Sequence, residues 1–191
     1  YGSELNKRRH ELLMAAGGAD ALEWESDRSG QGAAARDWLQ REDRVIAAAT
    51  RQLTARPGLE HFAPPLVFCS GFERTGRGEL TENLALHSVA LAQAVRAGDV
   101  VGEAWIRLGF GTTHTYLGSM AEALVELRSA CELGRRAGDT GLQAAAHMRL
   151  AAWHGRQGVI GSALHHSEAA LDLYENDANL PGAAHARNNV G

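Results

Sequence analysis

A regular period in the sequence restricts the folds open to this chain more than any other feature. Glycine, alanine and leucine recur at a spacing of 40 in four separate series. The series are Gly71, Gly111, Ala151 and Gly191; Gly78, Gly118 and Gly158; Leu84, Leu124 and Leu164; and Ala90, Ala130 and Ala170. A period of about 20 to 50 residues is the signature of repeat proteins, in which each unit buries its apolar face against its neighbours. The spacing therefore predicts an array of equivalent units.

Each unit is predicted to contain two helices. Apolar and small side chains recur at helical spacing in residues 102–118, and a second apolar stripe follows in residues 120–139. Gly118 lies between the two segments. Gly138 follows two arginines, which is typical of a helix C-terminus, since cations suit the negative end of the helix dipole and glycine adopts the left-handed backbone there. The unit is thus interpreted as a helix hairpin.

The small residues of the period have a steric explanation. Where the two helices of a hairpin cross, a side chain larger than that of glycine or alanine would hold the backbones apart. Gly111 on the first helix and Ala123 on the second are therefore expected to permit close packing. The same argument applies to Ala151 and Ala163 in the next hairpin.

Residues 108–133, LGFGTTHTYLGSMAEALVELRSACEL, resemble a tetratricopeptide repeat. Their small residue, turn glycine and two alanines fall at the spacings of that family. The same pattern recurs one period later, at Gly158, Ala163 and Ala170. The usual repeat has about 34 residues, so a unit of 40 predicts longer helices than the norm.

This resemblance implies an all-α fold, a right-handed superhelix of antiparallel helix hairpins with a 40-residue period. The repeats are predicted at about residues 64–103, 104–143 and 144–183, with a truncated repeat in residues 184–191. The final residues, HARNNVG, resemble the start of another repeat. The chain is therefore expected to be a fragment of a longer protein.

Residues 1–58 precede the predicted repeat region of residues 59–191 and are expected to form a helical linker or cap. One helix is predicted from about Ala33 to Thr54, closed by Pro57-Gly58. A second helix is predicted from Glu4 to Ala16.

The predicted helix of residues 33–54 carries a W-L-x-x-E-x-x-x-[LI]-x-A-A pattern. The pattern consists of Trp38, Leu39, Glu42, Ile46, Ala48 and Ala49. It is similar to the segment between the ATPase and repeat regions of bacterial antibiotic-regulatory and STAND-type transcriptional regulators. The resemblance implies that the repeats are a sensor region that contacts other domains of the same regulator. It also implies that an ATPase core and a DNA-binding domain lie outside these 191 residues.

Composition and charge argue against several classes of function. The formal net charge of −4 offers no basic field to a polyanion, so direct nucleic-acid binding is not expected. No apolar run approaches the roughly 20 residues of a membrane span, and the first residues lack the apolar core of a signal peptide. Cys69 and Cys131 form no C-x-x-C pair, which suits a reducing compartment. A cytoplasmic protein is expected, and a single lysine among 19 basic residues suggests a GC-rich bacterial gene.

Residues 70–80, SGFERTGRGEL, imitate the spacing of a phosphate-binding loop. Such a loop places lysine on the terminal phosphates and a serine or threonine hydroxyl on Mg²⁺. This sequence has Arg77 and Gly78 at those positions. The motif should also follow a buried strand, whereas the register of the repeats predicts a helix after Pro64-Pro65. We therefore expect Gly71 to lie at a helix crossing and Gly78 to turn the chain.

No metal site is predicted from the nine histidines. His147 and His154 lie seven residues apart, and His165 and His166 are adjacent, so neither pair has the i, i+4 spacing of a helical zinc motif. His114 and His154 are one period apart and are expected to be equivalent packing residues.

No catalytic motif is found either. The serines lack a G-x-S-x-G elbow, and neither cysteine lies in a nucleophile motif. Glu122, Glu126 and Glu132 are expected to form a solvated helix face. The chain is therefore predicted not to be an enzyme and to need no cofactor.

The remaining functional feature is the concave groove that the first helices of stacked hairpins line. The family's groove pattern points to Phe72, Trp105, Thr112, Tyr116, Met148, Arg149, Arg156 and His185. The expected ligand is a protein, a peptide or a small effector, because tryptophan, tyrosine and arginine often supply binding energy at interfaces. For Trp105 and Met148 the alternative is packing between repeats. For the whole domain the alternative is self-association, with a homodimer formed through the repeat surface.

Overall fold

The computed structural model describes residues 31–53 and 62–190, and within these ranges the chain is all-helical with no strand. The eight helices of these ranges are α1 (Gln31–Leu53), α2 (Ala63–Gly76), α3 (Leu80–Ala97), α4 (Val100–Leu117), α5 (Met120–Ala137), α6 (Thr140–Arg156), α7 (Ile160–Asn176) and α8 (Leu180–Val190). The helix predicted from Ala33 to Thr54 is confirmed by α1, and the helix predicted after Pro64-Pro65 by α2. The predicted helix from Glu4 to Ala16 and the Pro57-Gly58 stop lie outside the described residues.

The chain divides into two compact units, residues 1–102 and 103–191, so that the division falls inside α4. In the first unit α1 packs on α2 and α3, and α2 packs on α3. In the second unit α5 packs on α6, α6 on α7 and α7 on α8. Within each unit, these contacts join helices that are consecutive in sequence, together with α1 and α3. The boundary predicted between residues 58 and 59 lies in a stretch that the structure does not describe.

Each turn from α2 to α8 contains one residue with a left-handed backbone, and these residues are 20 apart. They are Gly78, Gly98, Gly118, Gly138, Gly158 and Ala178. In each turn the amide of this residue donates to the carbonyl three residues earlier, and the next amide donates to the carbonyl five residues earlier. This pair of bonds is the Schellman arrangement, which satisfies the last carbonyls of a helix. The predicted turn glycines are confirmed. The other turns, at Gly98, Gly138 and Ala178, have the same left-handed backbone and the same two hydrogen bonds.

The N-termini of the helices alternate between two kinds of cap. Oδ1 atoms of three residues accept hydrogen bonds of 2.8 to 3.0 Å from the amide three residues later. The three residues are Asp99, Asp139 and Asn179. At Glu79, Ser119 and Val159, which precede the intervening helices, the side chain makes no capping bond. Side-chain capping therefore occurs at α4, α6 and α8, whereas α3, α5 and α7 begin without it.

Gly111 lies where α4 crosses α5, as its position in the glycine and alanine series predicts. A Cβ atom built on Gly111 would lie 2.5 Å from Cγ of Leu127 and 3.2 Å from the backbone oxygen of Ala123. Both distances are shorter than ordinary van der Waals contact, so glycine is what allows this approach of the helices.

Residues 70–80, which imitate a phosphate-binding loop in sequence, form the end of α2 and the turn that follows it. A Cβ on Gly71 would lie 2.8 Å from Cε1 of His87 on α3, and Nδ2 of Asn83 donates to the Gly71 carbonyl at 3.2 Å. Burial lowers the pKa of His87 to about 4, while its Nδ1 contacts the Asn83 carbonyl at 2.8 Å. The glycine therefore serves a helix crossing in the first unit, and a helical backbone does not present its amides as a phosphate cradle.

A buried ion pair, which the sequence analysis missed, joins α1 to α2. Nη2 of Arg74 lies 2.7 Å from Oδ1 of Asp43, and the Arg74 side chain is fully buried. Nη1 of Arg74 donates to Oγ of Ser70 at 2.7 Å. Removing one partner of such a pair leaves an uncompensated buried charge. The pair therefore ties α1 to the helix that begins the predicted repeats.

Candidate binding surface and histidine cluster

The eight residues predicted to line a groove lie at different depths. Three are buried: Trp105, Thr112 and Met148. Two are half-buried: Arg149 and His185. Two are exposed: Tyr116 and Arg156. The side chain of Phe72 lies outside the described part of the chain.

The three buried residues pack inside the protein. The exposed fraction of Trp105 is 0%, and that of Met148 is 4%. Oγ1 of Thr112 donates to the carbonyl of Leu108 at 2.8 Å, the usual way for a helical threonine to satisfy its hydroxyl. A ligand would have to open the helices to contact these side chains.

Tyr116 and Arg156 form an exposed pair at the ends of α4 and α6. The guanidinium carbon of Arg156 lies 5.4 Å from the centroid of the Tyr116 ring, and 53% of Tyr116 is exposed. A cation above an aromatic face at an exposed site contributes about 0.5 to 1 kcal/mol. The pair holds a flat aromatic surface and a planar donor next to each other in solvent. Of the predicted residues, these two are the best placed to contact a partner.

Exposed apolar side chains flank this pair in sequence. Leu117 follows Tyr116, and Val159 and Ile160 lie in the turn after Arg156 and at the start of α7. The exposed fraction of Ile160 reaches 68%. Aromatic residues and arginine are enriched at protein interfaces relative to the rest of the surface.

An ion pair connects α4 to α5 within the second unit. Nη1 of Arg107 donates to Oε2 of Glu126 at 2.8 Å, and Nε donates to Oε1 of Glu103 at 2.8 Å. Burial opposes the charge of Arg107, but its hydrogen bonds to the two carboxylates raise its pKa. Glu126, which the sequence predicted to be on a solvated face, is thus half-buried and engaged across the hairpin.

A pair of histidines connects α6 to α7. Nδ1 of His147 lies 2.9 Å from Nδ1 of His166. The ring of His154 stacks on that of His166 at 5.3 Å between centroids, and the ring of His165 lies 5.6 Å from it. The structure thus collects into one histidine cluster the four residues that the sequence analysis considered as two separate pairs. Residue spacing along one helix did not predict this cluster, because its members come from two helices.

The electrostatics of this cluster oppose protonation. Burial, and then the nearby His147, His154, His165 and Arg128, lower the pKa of His166 to about 4. Burial and His165 lower the pKa of His147, and burial and Arg128 lower that of His154. His166 is therefore neutral at pH 7, and the lowered pKa values of His147 and His154 favour their neutral forms.

The cluster does not make a metal centre. Among the residues that the structure describes, no group of three or more histidine, cysteine, aspartate or glutamate side chains could hold a metal ion. His114 and His154 share one feature, since the Nδ1 atom of each is buried without a hydrogen-bond partner in the described part of the chain. His114 also stacks on Phe110, with 6.1 Å between the ring centroids. The stacking of His114 on Phe110 and of His154 on His166 fits the packing role expected for both histidines.

Both thiols are partly buried, and the remaining predicted carboxylates lie on the surface of α5. Burial raises the pKa of Cys69 to about 11, and burial and then Glu132 raise the pKa of Cys131, so both free thiols are protonated at neutral pH. A protonated thiol is a poor nucleophile. Glu132 pairs with Arg135 at 2.7 Å on the surface of α5, and Glu122 is exposed on the same helix.

Two further findings bear on function. In the described ranges, every helix is too short or too polar to cross a membrane. Comparison with protein-family models and with curated proteins yields no match.

Proposed function

We propose that this chain is a non-catalytic binding domain built from tetratricopeptide-like repeats. Two regular features along the chain support a two-helix repeat with a 40-residue period. The left-handed turn residues are spaced 20 apart, and side-chain caps occur at every second helix, at Asp99, Asp139 and Asn179. Equivalent hairpins that stack in this way form a right-handed superhelix with an extended binding surface.

The single observation that carries the binding function is the exposed Tyr116–Arg156 pair. Tyrosine and arginine are among the residues that most often dominate interface energies. The flanking exposed residues Leu117, Val159 and Ile160 add apolar area. The ligand is a protein or peptide segment that carries an apolar side chain and an acceptor for the guanidinium. Half-buried Arg149 and His185 belong to the proposed groove, while Trp105, Thr112 and Met148 act through packing.

The biological setting that we propose is the sensor region of a cytoplasmic bacterial transcriptional regulator. The resemblance of residues 33–54 to the segment that precedes the repeats in such regulators supports it, and the ion pair between Asp43 and Arg74 joins that helix to α2. Binding would alter the regulator only if the ligand had different affinities for two of its states. The surrounding open reading frame tests this setting, because it should encode a nucleotide-binding domain before Tyr1.

Peptide selection tests the binding function directly. A displayed random peptide library is selected against the 191-residue chain, and an enriched peptide is measured by calorimetry. We expect Tyr116→Ala and Arg156→Ala each to weaken binding about tenfold, which corresponds to about 1.4 kcal/mol. Arg136→Ala, an exposed arginine in the last turn of α5, is the matched control and should bind like the wild type. Equal binding by all three variants would show that the pair is not the site.

A second candidate function is self-association, which two exposed apolar residues favour. The exposed fractions of Leu180 and Ile160, at the starts of α8 and α7, are 76% and 68%. Light scattering on the wild type and on Ile160→Asp and Leu180→Asp tests it. A wild-type dimer that dissociates in the variants supports assembly, whereas a wild-type monomer at all concentrations contradicts it.

A further inference from the structure

The cross-helix contact in the second unit has a different chemistry in its two hairpins. Arg107 on α4 bonds to Glu126 on α5 at 2.8 Å. One period further along the chain, His147 on α6 meets His166 on α7 at 2.9 Å. Both contacts are partly buried and both join residues that are 19 apart in sequence. The first contact joins a guanidinium to a carboxylate, whereas the second joins two imidazole rings.

The histidine contact is compatible with only some protonation states. A bond between two Nδ1 atoms needs one ring to donate and the other to accept. A neutral pair in opposite tautomers satisfies this need, and so does a pair that shares one extra proton. When both rings are imidazolium, two N–H donors face each other at 2.9 Å and no acceptor is left between them.

The surroundings of the pair add repulsion when protons arrive. The charged and titratable groups that act on His147 and His166 are Arg128 on α5, His154 on α6 and His165 on α7. Any charge that these three side chains carry is positive. On α8, which also packs on α7, the ionisable residues are His185 and Arg187, and Arg187 is paired with Glu175.

We propose that the histidine cluster is an acid-sensitive latch that holds α6 against α7 while its rings are neutral and releases the hairpin when they are protonated. The latch is independent of the proposed binding function, since it rests on the His147–His166 contact and its cationic neighbours. It couples the packing of one hairpin to pH in a protein whose adjacent hairpin has an arginine–glutamate contact at the equivalent position.

The direction and range of the effect follow from linkage. The pKa of His166 is lowered from 6.5 to about 4 in the folded chain, and that of His147 is lowered as well. Between pH 6.5 and about pH 4, His166 binds a proton more readily in the open hairpin than in the closed hairpin. Opening therefore becomes more favourable as pH falls. The stabilising effect of the neutral pair is complete above pH 6.5 and is lost progressively toward pH 4.

The first test is a titration of the imidazole nitrogens by long-range ¹H–¹⁵N NMR on the 191-residue chain. We expect His147 and His166 to have opposite tautomers at pH 7.5 and His166 to titrate well below 6.5. Identical tautomers with ordinary titration of both rings would overturn the proposal.

The second test is local hydrogen exchange at pH 7 and pH 5, corrected for the intrinsic exchange rate. A local measurement is needed because buried His87 in the first unit also has a pKa of about 4 and would contribute to global melting. We expect peptides of α6 and α7 to lose about tenfold in protection at pH 5 relative to peptides of α4 and α5. The figure follows from linkage for one group over about one pH unit. Equal losses in the two hairpins would contradict the latch.

Two double variants separate titration from packing. His147→Arg with His166→Glu imports the ion pair of the neighbouring hairpin, and His147→Asn with His166→Asn keeps an amide hydrogen bond at the Nδ1 positions without titration. Either variant, once shown to be folded by circular dichroism, should lose the extra acid sensitivity of α6 and α7. The control His114→Asn replaces a histidine of α4 outside the cluster and should keep that sensitivity. Acid sensitivity that persists in a folded double variant would overturn the proposal. If both variants are unfolded, the wild-type NMR titration decides the outcome.

Discussion

The α4–α5 and α6–α7 hairpins of the second unit have similar backbones and different chemistry. Each turns through a left-handed glycine, Gly118 or Gly158, with the same two backbone bonds. Their cross-helix contacts are an ion pair in one and a histidine pair in the other. The comparison shows that the turn geometry does not dictate the residues that meet between the helices. The residues at the cross-helix contact can therefore give one hairpin a property that its neighbour lacks.

The helix crossing also differs between the two hairpins. Gly111 leaves no room for a Cβ beside Leu127, whereas Ala151, at the matching position one period later, is buried with a Cβ in place. The α6–α7 crossing therefore tolerates a methyl group that the α4–α5 crossing excludes. Four experiments, taken from the largest expected effect to the smallest, test how far the equivalence of the hairpins extends.

Gly111→Ala should have the largest effect, because its methyl group would overlap Leu127 and press on the Ala123 backbone. We expect a loss of about 1 to 3 kcal/mol in the free energy of unfolding, measured with urea at pH 7.5. Ala151→Gly, the reverse change at the matching position, should cost only about 1 kcal/mol through helix propensity. A Gly111→Ala variant as stable as the wild type would mean that the crossing is looser than the distances indicate.

Transfer of the histidine pair is the next test. Arg107→His with Glu126→His should give α4 and α5 the acid sensitivity expected of α6 and α7, seen as up to about tenfold loss of hydrogen-exchange protection between pH 7 and pH 5. Arg107→Lys is the control, since it keeps a positive charge opposite Glu126. A folded double variant without acid sensitivity would show that the cationic surroundings of the α6–α7 hairpin, and not the pair alone, are required.

Capping distinguishes the two helices within a hairpin. Asp139 accepts a hydrogen bond from the amide of Leu142 at 2.8 Å, so Asp139→Ala should cost about 1 kcal/mol in urea unfolding. Ser119 makes no capping bond, and Ser119→Ala should leave the stability nearly unchanged. Equal losses in the two variants would contradict the alternation of caps.

Ala178 offers the smallest test, because it occupies a turn position where glycine stands in the five equivalent turns. A left-handed backbone costs a non-glycine residue roughly 1 to 2 kcal/mol, and glycine loses about 0.5 to 1 kcal/mol more conformational entropy on folding. Ala178→Gly should therefore stabilise the chain by about 0.5 kcal/mol in thermal or urea unfolding. Gly158→Ala, the reverse change in the preceding turn, should destabilise it by a similar amount.

Local features of the fold were predictable from sequence. Gly78, Gly118 and Gly158 marked turns because a left-handed backbone favours glycine whatever surrounds it. The caps Asp99, Asp139 and Asn179 carry a comparable signal at a spacing of 40, which the glycine, alanine and leucine series do not contain. These features share one property, which is that their hydrogen bonds close within five residues of chain.

The candidate site was less predictable from sequence, since it depends on how deeply each side chain is buried as well as on its residue type. Trp105 and Tyr116 were both selected from a groove pattern, yet the first is fully buried and the second is 53% exposed. A helical period places a residue on a face, but the neighbouring helices decide how much of that face solvent reaches. Arg74 shows the converse, because a charged residue became fully buried once Asp43 of another helix lay beside it.

In the part of the chain that the structure describes, the sequence by itself determined the helical secondary structure and the positions of the turns, because these depend on backbone preferences over a few residues. Only the tertiary structure decided which side chains meet between helices. His147 and His166, like Arg107 and Glu126, are 19 apart in sequence and come into contact only after a turn has folded one helix back on the other. Their chemistry depends on distance, burial and the charges of neighbouring helices. None of these quantities is defined until the helices have packed.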